Sequence, residues 1–459
     1  MRNTATQPNI LLICADGQRW DSLGIAGRFP NVTPNINTLA EQGAYFPNAF
    51  STTAQCHPAR ASILTGRYAH RHGITANSNL PWAREKTWPA SERPFTAVLA
   101  EAGYRTGHLG YPHWGKVPPP LFRYEVHKPP VGRFTDYGPD SYRGSPAPMV
   151  HKRYPLYATW HVDPEQTEAH YLTDQAIEFL RESSGQERPF MLHVDYSGPH
   201  YPYIVAEPFA SLVDPDELEP WPNFHVRDEP ERIKLWRRWF GVEGIGWEHW
   251  ARALQYNLGA IAEIDHGVGR ILSALDELGL AENTVVIYTA DHGEMVGERG
   301  LLDKGPGGYD ALYRVPLVMR YPDRIAPGTR CEALVQNFDL YPPLLEIAGV
   351  EVTSTIDSRS LFASLAGENV RDSVFCEYHA HAWSETPLRI LRTPEWKLVY
   401  SGGDLGELYN MAEDPHEMNN LIHTDRAKEV LPELREKMLA WMERTEDPML
   451  AGAKRLLAD

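Results

Sequence analysis

Cysteine is scarce: four residues in 459, at Cys14, Cys56, Cys331 and Cys376. Their wide scatter offers neither a zinc-ligand spacing nor a dense disulfide framework, and it agrees with a reducing compartment. Long apolar runs are missing too. None approaches the roughly eighteen residues that a membrane-spanning helix requires. The opening "MRNTATQPNILLICADG" lacks the basic region, apolar run and small-residue cleavage site of a secretory leader, in that order. Its short apolar run leads into an acidic residue, as a buried strand would, and a cytoplasmic location is the expectation. Nor is there an excess of basic residues. Lys and Arg total 44 against 61 Asp and Glu, a net charge of −17, which speaks against nucleic acid and anionic membrane as partners. So acidic a chain can hold an anion only through a local cluster of Arg, Lys, His or metal. Internal repeats and low-complexity tracts are absent.

What is present is an ordinary globular composition, 42% hydrophobic and 23% charged, on a chain long enough for two or three domains. "PNILLICA" (8–15) is a short apolar run between Pro and Asp, the pattern of a fully buried strand. "VTPNINTLAEQG" reads as a helix with Thr33 as N-cap, Pro34 in the first turn and Gly43 as the stop. "FTAVLAEAGYRTGHLG", "AHYLTDQAIEFLRESSGQERPFMLHVDY" and "LGAIAEIDHGVGRILSALDELGLAENTVVIYTADHG" each repeat the order helix, then strand. This alternation predicts an α/β fold: a large mixed, mostly parallel sheet sandwiched by helices. Two Pro- and aromatic-rich stretches, 110–165 and 200–245, interrupt it as candidate lids or substrate walls. The alternation fades after about residue 350. Short strands in "DSVFCEYHAHAW", "LRILRTPEWKLVYSG" and "GELYNM", then a helix near 425–445, predict a smaller C-terminal α+β subdomain. The boundary is placed between 1–365 and 366–459.

Ligands of open α/β sheets bind beyond the carboxyl ends of the strands. The residues following the predicted strands are Asp16, the group Tyr111, His113 and Lys116, then His200, and the pair Asp291 and His292. Carboxylates with an imidazole at one sheet edge suit a divalent cation. Cys56 in "AQCHPARASILTGRYAHRHG" precedes Pro58 and a helical run. That places its thiol at a helix N-terminus, where a depressed pKa is expected. Arg60 lies one turn on and can hold whatever charge position 56 carries.

"CHPARASILTGR" resembles the signature of the type I sulfatases, Cys-x-Pro-x-Arg followed by Leu-Thr-Gly. "PNILLICADGQRWDSLG", "GPHYP", "ADHGEMVGERGLLDKGPGGYDALYRVPLV" and "ELYNMAEDPHEMNNL" resemble further segments of that family, in order, over nearly the whole chain. The resemblance implies an alkaline phosphatase-like fold and oxidation of Cys56 to Cα-formylglycine. It also implies one divalent metal, Ca²⁺ with Mn²⁺ as an alternative, ligated by Asp16, Cys56, Asp291 and His292. Arg60 would hold the aldehyde hydrate, with His113, His200 and Lys304 at the sulfate or the leaving oxygen. Two positions depart from the family pattern. Gly17 stands where a second acid is common, a gap for Gln18 or a water to fill, and Tyr111 stands where a lysine is usual. Tyr111 resembles the phosphonate monoester and phosphodiester hydrolases, which use the same formylglycine.

The resulting expectation is a sulfatase, releasing sulfate and an alcohol. The alternatives are a phosphonate or phosphodiester hydrolase, a non-catalytic glycan-binding relative, and a Cys–His thiol hydrolase. The implied partners are a small-molecule or carbohydrate sulfate ester, the formylglycine-generating enzyme and, as an open alternative, a second copy in a homo-oligomer. His70, His72, Glu263, Asp265 and the Trp-rich stretch 234–250 are expected to serve packing or surface roles. So is the C-terminal helix.

Overall fold

The computed structural model describes residues 7–77, 88–110, 144–151, 153–352, 355–368, 370–380, 385–402 and 406–456, with the strand Tyr124–Val126. The apolar run 8–15 becomes β1 (Asn9–Asp16), buried at every position. It sits inside an eight-stranded sheet with β2 (Ala44–Tyr45), β3 (Arg105–Gly110), β4 (Tyr124–Val126), β5 (Phe190–Pro199), β6 (Thr284–Ala290), β7 (Leu317–Arg320) and β8 (Thr329–Arg330), in the order β8-β2-β7-β6-β1-β5-β3-β4. β1 pairs in parallel with β6 and β5, and β3 with β5 and β4. β7 runs against its neighbours β6 and β2. The sheet is therefore mixed and mostly parallel, as expected.

Because side chains alternate across a strand, β5 serves two layers with consecutive residues. Asp195 faces Arg60 of the helix α2 (Cys56–Thr65). Tyr196 faces the other side, its hydroxyl 2.8 Å from Thr173 on α3 (Glu168–Ser183) and close to Gly267 on the long α4 (Trp247–Glu277). Helices thus cover both faces.

The predicted helix after Thr33 forms as α1 (Pro34–Glu41), but the Thr33 hydroxyl accepts from Gly24 N–H instead of capping it. The Asp265 carboxylate of α4 takes the N–H groups of Asn35 (3.2 Å) and Ile36 (2.8 Å). Asp265, expected in a packing or solvated role, is a buried tertiary cap. Asp265→Ala leaves these donors unpaired and is expected to cost about 1–2 kcal/mol. A parent-like denaturation midpoint for that variant would remove the cap from the account.

The C-terminal strands Val374–Tyr378, Leu388–Arg392, Trp396–Ser401 and Glu407–Asn410 form an antiparallel sheet in chain order. The helix Asp425–Arg444 buries Leu431, Leu434, Met438, Trp441 and Met442 in a cluster with Leu391, Leu398 and Leu408. Its role is core packing as well as surface. Within 200–245, read from sequence as a candidate lid or substrate wall, Glu231–Phe240 is an α-helix whose Trp236 is fully buried with its indole N–H on Leu302 O. Packing is the role of Trp236 in the Trp-rich stretch.

Candidate active site

Three neighbouring strands, β6, β1 and β5, end at one edge and deliver Asp291, Asp16 and His200. The β1–β5 register shifts between Ala15 and Asp16, which pair with Tyr196 and Pro199. Such an irregularity re-aims the side chain that follows it. Against this edge stands the first turn of α2. That helix is polar in sequence, yet every residue from Cys56 to Thr65 is buried, so its His, Arg and hydroxyl groups must find partners inside the protein.

Cys56 Sγ lies 3.3 Å from His292 Nε2 and 3.6 Å from Asp16 Oδ1. His292 Nε2 is in turn 3.8 Å from Asp16 Oδ1 and from Asp291 Oδ1. One donor atom from each of the four lies within 4.8 Å of all the others, and all four residues are buried. His292 Nδ1–H donates to Gly293 O at 2.7 Å, which leaves the Nε2 lone pair turned inward, the usual arrangement for a metal-binding imidazole. Burial holds the His292 pKa below its ordinary value, so the ring is neutral and able to ligate. Asp291 Oδ1 accepts from Gly17 N–H (3.0 Å) and His292 N–H (2.8 Å). The Asn337 amide fixes the adjoining backbone through Ala290 O and Asp291 O. Two oxygens, one nitrogen and position 56 suit one divalent cation.

The surroundings of position 56 argue against a working thiol. Burial pushes the Cys56 pKa well above its ordinary value and Asp16 adds to the push, while Lys304 and Arg60 oppose it. The expected depression at a helix N-terminus is overturned, because desolvation and nearby carboxylates outweigh the helix end.

Arg60 is almost wholly buried, and its partners are carboxylates. Nε holds Asp291 at 2.9 Å, Nη2 holds Asp16 at 3.3 Å, and Nη1 holds Asp195. Asp195 also meets His108 Nε2 (2.7 Å) and His193 Nε2 (3.1 Å). Against the burial penalty, Arg60 and then His193 hold Asp195 well below the usual carboxylate range. Arg60 thus orients two of the candidate metal ligands from beneath, with Asp195 anchoring it in turn.

On the opposite wall, Lys304 Nζ donates to His200 Nε2 and lies 3.1 Å from Asp303 Oδ1. His200 Nδ1 lies 2.5 Å from Tyr201 O, an acceptor, so the proton sits on Nδ1. Despite burial, Asp303 and the charge around Cys56 and Asp16 hold the Lys304 pKa above its ordinary value. Lys304 is therefore cationic throughout the neutral range.

At the departure on β1, Gly17 has φ +73, a conformation that side chains resist. Gln18 does not fill the gap: its amide nitrogen donates to Ser22 (3.0 Å) and its oxygen accepts from Tyr288. The group beside Gly17 is the buried Glu294, whose carboxyl burial and Asp303 push well above its usual range. Neither Glu294, Asp195 nor Asn337 was singled out by sequence. "LHVD" did carry a signal, a His and an acid alternating on one face of an otherwise apolar strand. Gly110, with φ +106, approaches Asp195 O so closely that a Cβ would lie 2.0 Å from it, and only glycine can make that turn. Tyr111, His113 and Lys116 beyond it lie outside the described residues. His72 bonds to Ser62 and Ile74 N–H, and His70 to Glu377 and Thr445 O, so both brace the segment that follows Cys56.

The sulfatase family model matches residues 8–350, and the C-terminal model of N-sulphoglucosamine sulphohydrolase matches 297–444. The chain is 27% identical to the uncharacterized sulfatase YidJ of Escherichia coli, over 96% of this chain and 88% of that one. It is 25% identical to N-acetylglucosamine-6-O-sulfatase of Bacteroides thetaiotaomicron, over 98% and 90%. Among solved structures, the phosphonate monoester hydrolase SpPMH of Silicibacter pomeroyi superposes with a TM-score of 0.82 at 25% identity, covering 97% of each chain.

Proposed function

The chain belongs to the sulfatase family, the sulfuric ester hydrolases, and from that premise we propose that it cleaves a carbohydrate sulfate ester on a formylglycine derived from Cys56, with one Ca²⁺ or Mn²⁺ held by Asp16, position 56, Asp291 and His292. The observation carrying this reading is the buried four-donor cluster at the first turn of α2, with Lys304 and His200 facing it. The kinship with N-acetylglucosamine-6-O-sulfatase supports the carbohydrate class. Four buried, unbridged cysteines support a reducing compartment such as the cytoplasm.

When bound, the cation and the aldehyde hydrate supply a deprotonated oxygen nucleophile and neutralise charge on the sulfuryl oxygens. The protein's own residues do the rest. Arg60 pairs with both Asp16 and Asp291 and holds them aimed at one point. His292 presents Nε2, its other nitrogen being committed to Gly293 O. Lys304 offers a fixed positive charge to sulfate oxygens or the leaving oxygen, and its raised pKa favours electrostatic stabilisation over proton donation. His200, whose Nε2 accepts from Lys304 and whose Nδ1–H is held by Tyr201 O, fixes the ammonium group in place.

A second reading, a phosphonate monoester hydrolase, is favoured by the likeness to SpPMH and by Gly17 and Tyr111. Matured protein assayed on aryl sulfate, sulfated N-acetylglucosamine, a phosphonate monoester and a phosphodiester is expected to show its highest kcat/KM on a sulfate ester. A phosphonate or diester ahead by orders of magnitude would overturn that ranking. Mass spectrometry of the Cys56 peptide is expected to show exchange of sulfur for oxygen with loss of two hydrogens; an intact thiol in active protein would sink the formylglycine reading.

A further inference from the structure

Trp236 and Trp239 share the helix Glu231–Phe240 but have opposite surroundings. Trp236 is fully buried, whereas Trp239 is 45% exposed. Leu235, four residues before Trp239 and so on the same helical face, is 43% exposed, and Met149 is 47% exposed. Single exposed apolar side chains are ordinary. Here three of the four large ones among the described residues fall on two adjoining segments, this helix and the hairpin of Met149–Val150 with Tyr154–Pro155.

Both segments are fastened to the wall that bears Lys304 and His200. The helix lies along the stretch around Lys304: the Trp236 indole N–H donates to Leu302 O at 3.0 Å, Arg232 to Pro306 O at 2.9 Å and Arg237 to Arg299 O at 2.8 Å. Gly305 approaches the Trp236 ring so closely that a Cβ there would lie 2.5 Å from Cδ2. The hairpin is held from two sides. His151 N–H donates to Phe240 O at 3.4 Å, and Tyr154 O accepts from the hydroxyl of Tyr201, the residue after His200, at 3.3 Å. The His151 ring centre lies 5.3 Å from that of Trp239 and 4.8 Å from that of Phe240. Burial lowers the His151 pKa and the charge of Asp303 opposes the shift, so this carboxylate, which also contacts Lys304, is within electrostatic reach of the hairpin tip.

We propose that Trp239 and His151 form the subsite for a sugar ring of the leaving group, the indole taking the apolar C–H face of a pyranose and the imidazole its hydroxyl groups. A pyranose is apolar on its faces and polar around its rim, and an exposed indole beside an imidazole matches both. The patch suits one ring better than a second protein. Exposed Lys234 and Arg238 interrupt it along the helix, and three half-open side chains fall well short of the roughly 800 Å² per partner of a standard interface. This assignment rests on the carbohydrate sulfate reading above.

The test separates binding of the sugar from binding of the sulfate. Matured parent, Trp239→Ala and Trp239→Tyr are assayed on a panel of sulfated monosaccharides, N-acetylglucosamine sulfates among them, and on an aryl sulfate. Inhibition by inorganic sulfate is measured alongside. On the best sugar ester Trp239→Ala is expected to raise KM about 10-fold, the scale of losing an aromatic anchor, with kcat little changed, as for a contact made equally in ground and transition states. The inhibition constant of inorganic sulfate should stay near that of the parent. Trp239→Tyr keeps a ring and should recover most of the loss. A parent-like KM in Trp239→Ala overturns the proposal, and a changed sedimentation coefficient with that KM would assign the patch to self-association instead. Equal weakening of sugar ester and inorganic sulfate also overturns it, by marking a disturbed Lys304 wall. A parent that cleaves the aryl sulfate but no sulfated sugar overturns the carbohydrate reading itself, and is thereby told apart from a failure at Trp239 alone.

Discussion

Replacing Cys56 with serine is expected to abolish multiple turnover, by on the order of 10³-fold or more, while leaving one partial reaction intact. A serine Oγ in this position can attack the sulfuryl group. The new bond forms from Oγ to sulfur, the bond from sulfur to the ester oxygen breaks, and the serine proton goes to the departing alkoxide. The reaction then stops, because the serine carbon carries no second oxygen to expel sulfate. The measurement is a burst of alcohol release equal to one enzyme equivalent, with the sulfated serine peptide found by mass spectrometry. Cys56→Ala should show no burst. The geometry gives this test its force: position 56 is almost fully buried beside Asp16 and His292, where a thiol is held protonated. Multiple turnover by an unmodified cysteine, blocked by alkylation and indifferent to chelators, would restore the thiol hydrolase.

The largest stability effect is expected at Arg60. Arg60→Met removes the cation shared by Asp16, Asp195 and Asp291 and leaves three buried carboxylates near one another. Breaking a buried ion pair from one side costs about 3–5 kcal/mol. A divalent cation offsets part of this by settling between Asp16 and Asp291, so added Ca²⁺ should raise the thermal midpoint more in the variant than in the parent. Arg60→Lys should fall between the two, since a point charge cannot reach three acids with the geometry of a fork. A variant as stable as the parent without cation would show that Arg60 is not the organiser of this cluster.

Much of the architecture was legible in the chain because it depends on local patterns. Buried parallel strands read as unbroken apolar runs, and "PNILLICA" and "TVVIYTA" are such runs. The ends of such strands then point to Asp16, His200, Asp291 and His292. Cys56 stood at a helix start, as Pro58 and the following residues implied. Helix chemistry was less dependable: Thr33 looked like a cap, but the capping group is Asp265, some 230 residues away in sequence. A cap from another helix leaves no local trace.

The sequence by itself determined the fold class and the order of the motifs, since each rests on residue type and spacing along one stretch of chain. Tertiary structure decided the electrostatics. That the polar helix Cys56–Thr65 is buried throughout, that Arg60 serves three acids from three strands or their ends, and that Glu294 rather than Gln18 stands beside Gly17 all follow from register and packing. Desolvation and Coulomb interactions depend on distances between groups far apart in sequence. For that reason the thiol pKa expected from the helix end came out with the wrong sign.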